Sequence, residues 1–349
     1  MINVIKQPRQ NAVFLSNSPL DIDIKSEFDS DYYFKVFLFV NTILYDEQGW
    51  AKHNKTDCRI DLKNMFTQVF ENQFQEVKSN DLMRKENLLK KIYVNIKEYK
   101  RIDDSIQNKA YLEWFYILKS NKDMFFDERI SLQKMSSLPA VLRLSKDAVF
   151  RMPIWVNTST IQIKVSGDNQ EFLSEKHEDL EMGIFEADFI LKDFFEKSNE
   201  IRITISDGEH TLTQIIQLMD IYSYDVSRIF FKNNFDIFEY IELFGSEKES
   251  NKYSRKIYNL PNDLKFTATT TQEKRFKINT GNILPSEFVI LELLNNSNEI
   301  YLKNEGAFIP VIPVSSKSKG RESDKFYHND YIEFQQNGQI IANQDFKYD

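Results

Sequence analysis

The fold is decided by a stretch in the C-terminal third of the chain, Ile229-Phe-Phe-Lys-Asn-Asn-Phe-Asp-Ile-Phe-Glu-Tyr-Ile-Glu-Leu-Phe-Gly245. It is rich in aromatic and β-branched residues, which favour strands, so we predict paired strands here. The threonine run at 267–271 favours a strand for the same reason, and the pattern continues over 274–278. None of these segments has the residue pattern of a catalytic site.

One helix is predicted within this block, over residues 284–294. Pro285 suits the first turn of a helix, and Glu287 faces the positive end of the helix dipole. Residues 299–314 follow at once as a further strand region. The predicted helix has one apolar face, formed by Leu284, Phe288, Leu291 and Leu294.

The chain ends with a proline-bearing strand, a loop and a last strand. Pro310 and Pro313 predict that 308–314 is an edge strand or an irregular one, because proline cannot donate to a strand ladder. Residues 315–324 are predicted to be a mobile loop from their serine, lysine and glycine content. A final strand is predicted at 331–334.

The N-terminal region begins with a predicted strand over 31–40, whose apolar residues lie on both faces, as in a packed sheet. Apolar residues recur after Asp61 at helical spacing, which predicts a helix there. Asp61 is suited to cap this helix, because aspartate is a preferred N-cap residue. Residues 78–90 are polar and charged and indicate a linker or a loop. The predicted helical stripe consists of Leu62, Met65, Phe66, Val69, Phe70 and Phe74.

A further strand is predicted around 92–96, and 110–118 fits either a short amphipathic helix or a strand. Both segments lie within about 71–135, which we assign as a helical insert of the N-terminal domain. The residues that fit both patterns in the second segment are Ala110, Tyr111, Trp114, Phe115 and Leu118.

The middle of the chain alternates between apolar and polar residues at 161–165 and at 201–205, as expected for strands. Asp207 and Gly208 follow the second of these and are a strong hairpin signal. The partner strand of that hairpin is predicted over 212–218.

We predict a mainly β chain with short helices (α+β), built from two or three β-sandwich or immunoglobulin-like units in tandem. The first domain is the β-rich 1–147 with its helical insert. The second, 148–221, has the size and turn spacing of an immunoglobulin-like sandwich without the Cys–Trp–Cys signature, and it includes a short helix at 186–196. The third, 222–349, is a β-rich assembly domain with one helix.

Composition and charge exclude several classes of protein. The 349 residues include 29 Phe and 16 Tyr, enough for a large aromatic core, but 9 Gly, which disfavours a glycine-rich cofactor cradle. The net charge is −8 with the charges interspersed, so no basic stripe for nucleic acid is visible and we expect no direct nucleic-acid binding. No run of about 18 apolar residues and no signal pattern are present, so we expect no membrane span and synthesis in a cytosol.

No motif for nucleophilic catalysis, phosphate binding or dinucleotide binding is present. The histidines His53, His177, His210 and His328 stand far apart in sequence. One metal hypothesis rests on the close set Glu175, His177, Glu178, Asp179 and Glu181, against a solvated acidic loop. A second rests on an acidic cluster that calcium could use, formed by Asp21, Asp23, Asp29 and Asp31.

Cys58 is the single cysteine and is predicted to be a small buried residue instead of a nucleophile. Trp50, Trp114 and Trp155 are either core residues or platforms for sugar stacking. Residues 317–321 form a basic loop that either is solvated or reaches an acidic neighbouring subunit. We predict no catalytic, cofactor-binding or metal-binding residues.

Short motifs at both ends of the chain resemble tail-associated virion structural proteins of phages that infect Bacteroidetes, including the crAss-like phages. At the N-terminus they are 14–20, the aromatic strand and 61–66. At the C-terminus they are the aromatic segment 231–239, the Leu-Leu-Asn-x-Ser step at 293–297 and the strand at 300–302. The insert at about 71–135 departs from that pattern, which leaves open whether the place in a tail is hub, collar ring or baseplate.

The resemblance implies a non-enzymatic structural subunit of a phage tail, a hub, ring or connector component. Its partners would be copies of itself and neighbouring tail or portal-proximal proteins. It would be made in the bacterial host cytoplasm and located in the virion tail. Two other readings stay open: a glycan- or surface-binding module of a virion or cell surface, and an enzyme with a carboxylate site that its sequence does not show.

Overall fold

A computed structural model describes residues 1–29, 31–53, 56–66, 69–70, 72–121, 125–168, 170–194, 198–219, 225–259, 265–304, 306–314, 330–336 and 339–343. Within these, the side chains of 257–259, 265–271 and 339–343 are not described.

The described residues form 26 strands and one α-helix. The first twelve strands are β1 (Ile2–Lys6), β2 (Val13–Leu15), β3 (Asp21–Ser26), β4 (Tyr32–Val40), β5 (Ile43–Trp50), β6 (Asp57–Asp61), β7 (Asp81–Arg84), β8 (Leu89–Lys100), β9 (Ile106–Tyr111), β10 (Phe115–Leu118), β11 (Leu132–Lys134) and β12 (Val141–Ser145). The next six are β13 (Val149–Val156), β14 (Ile161–Gly167), β15 (Gln170–His177), β16 (Gly183–Ile190), β17 (Glu200–Ser206) and β18 (Thr211–Met219). The last are β19 (Ser227–Lys232), β20 (Phe238–Leu243), β21 (Glu247–Asn259), β22 (Lys265–Asn279), α1 (Phe288–Asn296), β23 (Ile300–Asn304), β24 (Ala307–Pro313), β25 (Tyr331–Gln335) and β26 (Gln339–Asn343).

The first unit consists of two packed sheets. One has the order β1-β3-β6, and the other has the order β2-β10-β8-β4-β5 with β9 beside β8. The predicted strand over 31–40 is confirmed as β4, in which Phe34, Val36 and Leu38 are fully buried and face the other sheet. The strand predicted at 92–96 is confirmed within β8.

The helix predicted after Asp61 is wrong. Asp61 does cap a turn, because its Oδ1 accepts the N–H of Lys63 at 2.9 Å, but only a 3-10 turn over Lys63–Phe66 follows. Met65 and Phe66 are buried in the first unit's core, whereas Phe74 packs among aromatic rings of the third unit. The apolar spacing therefore reflects two separate packing sites and not one helical face.

The helical insert at about 71–135 is also wrong, because the described part of this segment contains β7, β8, β9, β10 and β11. The predicted loop at 78–90 includes β7, which pairs with β16, and the predicted helix or strand at 110–118 contains the end of β9, a short connection and β10. Polar edge strands such as β7 carry little apolar periodicity, so their pattern resembles that of a loop.

The second unit is a sandwich of two sheets, β11-β13-β16-β7 and β12-β18-β17-β14-β15. The predicted hairpin is confirmed, with Ser206 opposite Thr211 across the turn. The helix predicted at 186–196 is wrong: β16 ends at Ile190, and a 3-10 turn over Leu191–Asp193 follows. A strand buried on both faces gives a continuous apolar run, which periodicity cannot distinguish from a buried helix.

The third unit is a single sheet of order β20-β19-β23-β24-β25-β22-β21, with β26 beside β22 and α1 packed on it. The predicted helix is confirmed as a 3-10 turn over Pro285–Glu287 that runs into α1. β24 lies between β23 and β25, but only Ile312 and Pro313 pair with β25, so the segment around Pro310 is free on that side among the described residues.

The strands predicted at 267–278 and 331–334 are confirmed as parts of β22 and β25. The loops predicted at 315–324 and 317–321 lie outside the described residues. The fold class is confirmed as mainly β, with sandwich units in tandem. Strand pairing ties β7, β11 and β12 to the second unit, although they precede residue 148. Among the described helices, none has the length and apolar character needed to cross a bilayer.

Candidate assembly surface

The described histidines lie in three separate places. The N–H of His53 donates to the carbonyl of Asp57 at 2.8 Å, next to β6. His177 ends β15, and His210 lies in the turn between β17 and β18. His328 lies outside the described residues.

The acidic residues around His177 form ion pairs with basic neighbours. Glu175 lies 3.8 Å from His177, Glu178 pairs with Lys176, and the Glu181 carboxylate lies 2.5 Å from Arg84. The described part of the chain contains no group of three or more residues that could hold a metal ion.

Three aspartates of the proposed calcium cluster contact cationic or N–H groups of the protein. Asp21 pairs with Arg59, whose hydrogen bond lowers the pKa of that aspartate below its usual range. Asp23 lies 4.0 Å from the same guanidinium, and Asp29 accepts the N–H of Asp31 at 3.1 Å.

One cluster combines the residue types of a Ser–His–Asp triad. The Ser131 hydroxyl contacts both Asp207 and Nδ1 of His210, the latter at 3.0 Å. In a triad, histidine bridges the serine and the aspartate through its two different nitrogens. Here the same Nδ1 faces both, and Asp207 accepts the backbone N–H groups of Glu209 and His210 at 2.9 and 2.6 Å. The cluster therefore fixes the β17–β18 turn against the start of β11.

Cys58 is buried on β6, and its thiol donates to the carbonyl of Ala51 at 3.4 Å. Burial raises the pKa of the thiol to about 11, with Lys52 acting in the opposite direction. The predicted burial of Cys58 is confirmed, and the thiolate, which is the reactive form of a cysteine, is disfavoured there.

We expect Cys58 to react with a disulfide reagent at pH 8 roughly 100-fold more slowly in the native chain than in the chain unfolded in urea, because few molecules carry the thiolate. The rate of thionitrobenzoate release measures the reaction in the native chain and in the unfolded chain. A native rate equal to the unfolded rate would show that the thiol is accessible and ionised.

The tryptophans do not share a platform. Trp155 is fully buried against Phe126, with ring centroids 5.1 Å apart, so its core role is confirmed. Trp50 is half-buried on β5. Trp114 is half-buried and covered by the ammonium of Lys91, 3.6 Å from the ring centroid.

A buried ion network lies on the outer face of the second unit's first sheet. Arg151 on β13 stands opposite Asp188 on β16 and binds it through two hydrogen bonds, at 2.7 and 2.8 Å. Arg151 also lies 3.2 Å from Glu186, which pairs with Lys85 at 2.8 Å. Burial raises the pKa of Glu186 above its usual range, against the attraction of Arg151 and Lys85.

A second network joins the second and third units. Glu242 on β20 is buried and accepts the backbone N–H and the hydroxyl of Ser145, which ends β12. Arg228 on β19 lies 3.2 Å from Glu242 and 2.6 Å from Asp147. Tyr240 donates its hydroxyl to the same carboxylate. These bonds fix β19 and β20 to the end of β12.

A third contact fixes α1 to the second unit. Arg143 on β12 binds Glu287 through two hydrogen bonds of 2.8 and 2.5 Å. The Glu287 carboxylate also accepts the N–H of Leu284 at 2.7 Å, so the residue that begins the helix also anchors it. Sequence reasoning placed Glu287 on the helix dipole but missed Arg143 as its partner.

The surface with the strongest assembly features is the hairpin formed by β21 and β22. β21 has 13 residues, or roughly 40 Å of chain, and its one strand partner among the described residues is β22. Every residue of 246–256 is exposed, so this part of the strand packs on no core. Residues 247–279 carry eight basic and four acidic residues, a net charge of +4.

A second exposed edge strand has the opposite charge. β15 ends the order β12-β18-β17-β14-β15, and its side away from β14 is free among the described residues. Residues 168–181 carry six acidic residues and one basic residue, a net charge of −5 with histidine neutral. The acidic cluster identified in the sequence is therefore an exposed strand edge.

An exposed apolar turn lies at the edge strand β5. Ile43, Leu44 and Tyr45 are 73%, 51% and 40% exposed at the start of that strand. Side chains of this kind are normally found singly at a surface, and three in succession on a sheet edge indicate a contact surface.

No family model matches the chain, and no curated protein matches it. Three titin structures were found among the solved structures. For the titin I-band fragment I67-I69 the TM-score is 0.24 at 10% identity, and the match spans 62% of this chain and 65% of the fragment. The chimeric titin Z1Z2 carrying a decorin KLER peptide gives a TM-score of 0.19 at 13% identity, over 62% of this chain and 95% of that one. A chimeric Z1Z2-Z1Z2 tandem gives 0.18 at 8% identity, over 63% and 98%.

Proposed function

We propose that the protein is a structural subunit of a phage virion tail, a hub, ring or connector component that acts by binding copies of itself and neighbouring tail or portal-proximal proteins. In this proposal it is made in the host cytoplasm, resides in the virion and acts through its surfaces without substrate turnover. The observation that carries the proposal is the β21–β22 hairpin, whose first strand is exposed over residues 247–256.

The physical argument begins with the cost of such a hairpin. β22 is paired on its other side by β25 and β26, so the open edge of the hairpin is that of β21, and an open strand edge is a template for pairing with another chain. A long exposed hairpin is therefore best accounted for by a partner that covers it. Strand addition to an exposed sheet edge is a recurring mode of protein recognition.

Rigid connections between the units support the same proposal. A subunit that transmits load through an assembly needs joints that hold its units in one arrangement. Here the bonds of Glu242 to Ser145 and of Arg143 to Glu287 fix the third unit to the second. The apolar cluster at the junction of all three units includes Trp155, Leu118 and Ile237.

We expect the purified chain to associate into oligomers of defined size as its concentration rises from nanomolar to tens of micromolar. Sedimentation velocity measures the masses, and negative-stain imaging shows whether the oligomers are rings. A chain that stays monomeric across this range, and that is absent from particles encoded by the same genome, would contradict the proposal.

The alternative is a glycan- or surface-binding module, which one observation favours. Two open clefts of about 640 and 470 Å³ share the residues Arg84, Lys85 and Glu86. The larger is also lined by side-chain amides, which suit hydroxyl-rich ligands: Asn72, Gln73, Gln75 and Asn87. Millimolar or tighter oligosaccharide binding by a monomeric chain, lost on Arg84→Ala, would favour this alternative.

A further inference from the structure

We propose that the basic edge strand β21 of one copy pairs with the acidic edge strand β15 of the next copy, so that the subunits join head to tail. The inference rests on the proposed function and names the partner of its principal surface. Both strands end their sheets among the described residues, so each offers one side of unpaired backbone N–H and C=O groups.

Charge complementarity identifies a second copy of this chain as the partner of the β21 edge. The hairpin carries +4 on a chain whose total is −8, so the remainder of each copy carries −12. Residues 168–181, which comprise β15 and the segments that flank it, hold −5 of this; the strand itself carries Glu171 and Glu175 against Lys176. Opposite potentials across an interface steer association and fix its register.

The cations of β21 are available for such a contact. Lys252, Arg255 and Lys256 are exposed, and none has an ion-pair partner among the described residues. Near the base of the hairpin the situation differs, because Lys274 lies 2.8 Å from Glu249. The free positive charge therefore lies toward the distal part of the hairpin.

Among the described residues, the carboxylates of the acidic edge pair with partly exposed cations: Glu171 with Lys164, Glu178 with Lys176 and Glu181 with Arg84. The Glu171 carboxylate lies 3.3 Å from Lys164, and both side chains are nearly half exposed. Exposed pairs of this kind contribute between zero and about 1 kcal/mol, so a neighbouring strand that brings several cations can replace them.

The same charges disfavour the symmetric pairings. Two β21 edges would bring Lys252, Arg255 and Lys256 close to their copies, and two β15 edges would do the same with carboxylates, which is destabilising across a ladder. The eight residues of β15 span roughly 27 Å, which fits within the length of β21. Because the contact joins two different surfaces, it is heterologous and generates a ring if the rotation closes and a filament if it does not.

Charge reversal in the full chain tests this inference. One variant carries Lys252→Glu, Arg255→Glu and Lys256→Glu; a second carries Glu171→Lys, Glu175→Lys and Glu178→Lys; a third combines all six. A matched control makes the same change of charge at exposed lysines outside both strands: Lys6→Glu, Lys78→Glu and Lys109→Glu. Sedimentation velocity at 50 and 500 mM salt gives the self-association constant of each, and circular dichroism confirms that each is folded.

We expect each single-strand variant to weaken self-association roughly tenfold or more at 50 mM salt, the combined variant to recover most of the loss, and the control to match the parent chain. If the parent assembles and the strand variants assemble equally well, the β21–β15 pairing is wrong while the proposed function stands. If the parent chain stays monomeric, the β21–β15 pairing is wrong, and the proposed function fails with it if the chain is also absent from the particles. Tight binding of the basic hairpin to DNA, with no effect of the β15 variant on assembly, would also overturn the inference.

Discussion

Replacing Arg151 with methionine is expected to lower the free energy of unfolding by about 3–5 kcal/mol, because it leaves the buried Asp188 carboxylate without its cation and leaves Glu186 with Lys85 alone. Arg151 is 2% exposed and makes two hydrogen bonds with Asp188, and Glu186 lies 3.2 Å away. Neither carboxylate can reach water without opening the sheet. Urea unfolding, monitored by circular dichroism, measures the free energy of unfolding of the wild-type chain and of Arg151→Met.

Lys164→Met is the matched control, since it removes a cation from an exposed pair with Glu171 and should cost less than about 1 kcal/mol. A variant that replaces Arg151, Glu186 and Asp188 together with apolar residues should recover much of the stability lost by Arg151→Met. A loss of under about 1 kcal/mol for Arg151→Met alone would show that the network is hydrated.

The second large effect concerns pH and Glu239. This residue of β20 is fully buried, and burial raises the pKa of its carboxyl to about 7, against the influence of Ser136, Lys134 and Asn233. The unfolded chain has the ordinary carboxyl pKa near 4.5. Between these two values the folded state binds the proton more tightly, so the stability from this group is complete below pH 4.5 and is lost as the pH rises through 7.

We expect the wild-type chain to lose about 3 kcal/mol of unfolding free energy relative to Glu239→Gln between pH 4.5 and 7, since each tenfold difference in proton affinity between the folded and unfolded chains corresponds to about 1.4 kcal/mol. The difference between the two chains isolates this group from all other titrations. The exposed Glu209→Gln serves as the control and should show no pH-dependent difference. A constant difference between wild type and Glu239→Gln would mean that Glu239 is already ionised at pH 4.5.

Strand content and turns were predictable from sequence because they depend on local chemistry. The alternation in β4 and β17, the Asp207-Gly208 hairpin and the capped start of α1 each rest on a few neighbouring residues. The wrong predictions have separate physical causes. The helix after Asp61 was inferred from apolar spacing, whereas Phe66 and Phe74 are buried against separate partners. The helix at 186–196 was inferred from phenylalanine and leucine content, which a strand buried on both faces shares.

The buried networks could have been suspected from one signal. Arg151, Glu186 and Asp188 are charged residues inside runs that are otherwise apolar, Val149–Val156 and Gly183–Ile190. Such a charge is costly to bury unless it is paired. Sequence alone cannot say which runs are neighbours, because the pairing of β13 with β16 crosses two intervening strands.

The assembly surfaces were only half visible in the sequence. In the sequence, the acidic residues near His177 are a candidate metal site, whereas the structure places them on and beside an exposed sheet edge. The basic character of 247–279 emerges when β21 and β22 are known to form one hairpin. Without that pairing, the basic residues of 247–279 cannot be distinguished from the charges that are interspersed along the rest of the chain.

The central claim is that this chain is a tail component of a virion, and antibody-labelled negative-stain imaging of particles encoded by the same genome tests it most directly. The exposed segment 247–256 would be covered by a neighbouring subunit in the assembly, so an antibody could not reach it. An antibody against the exposed loop around Asp103 is therefore the better label. The proposal predicts label on the tail, at the same distance from the head in every particle. Particles that carry no label, together with all of the chain in the soluble fraction of infected cells, would contradict it.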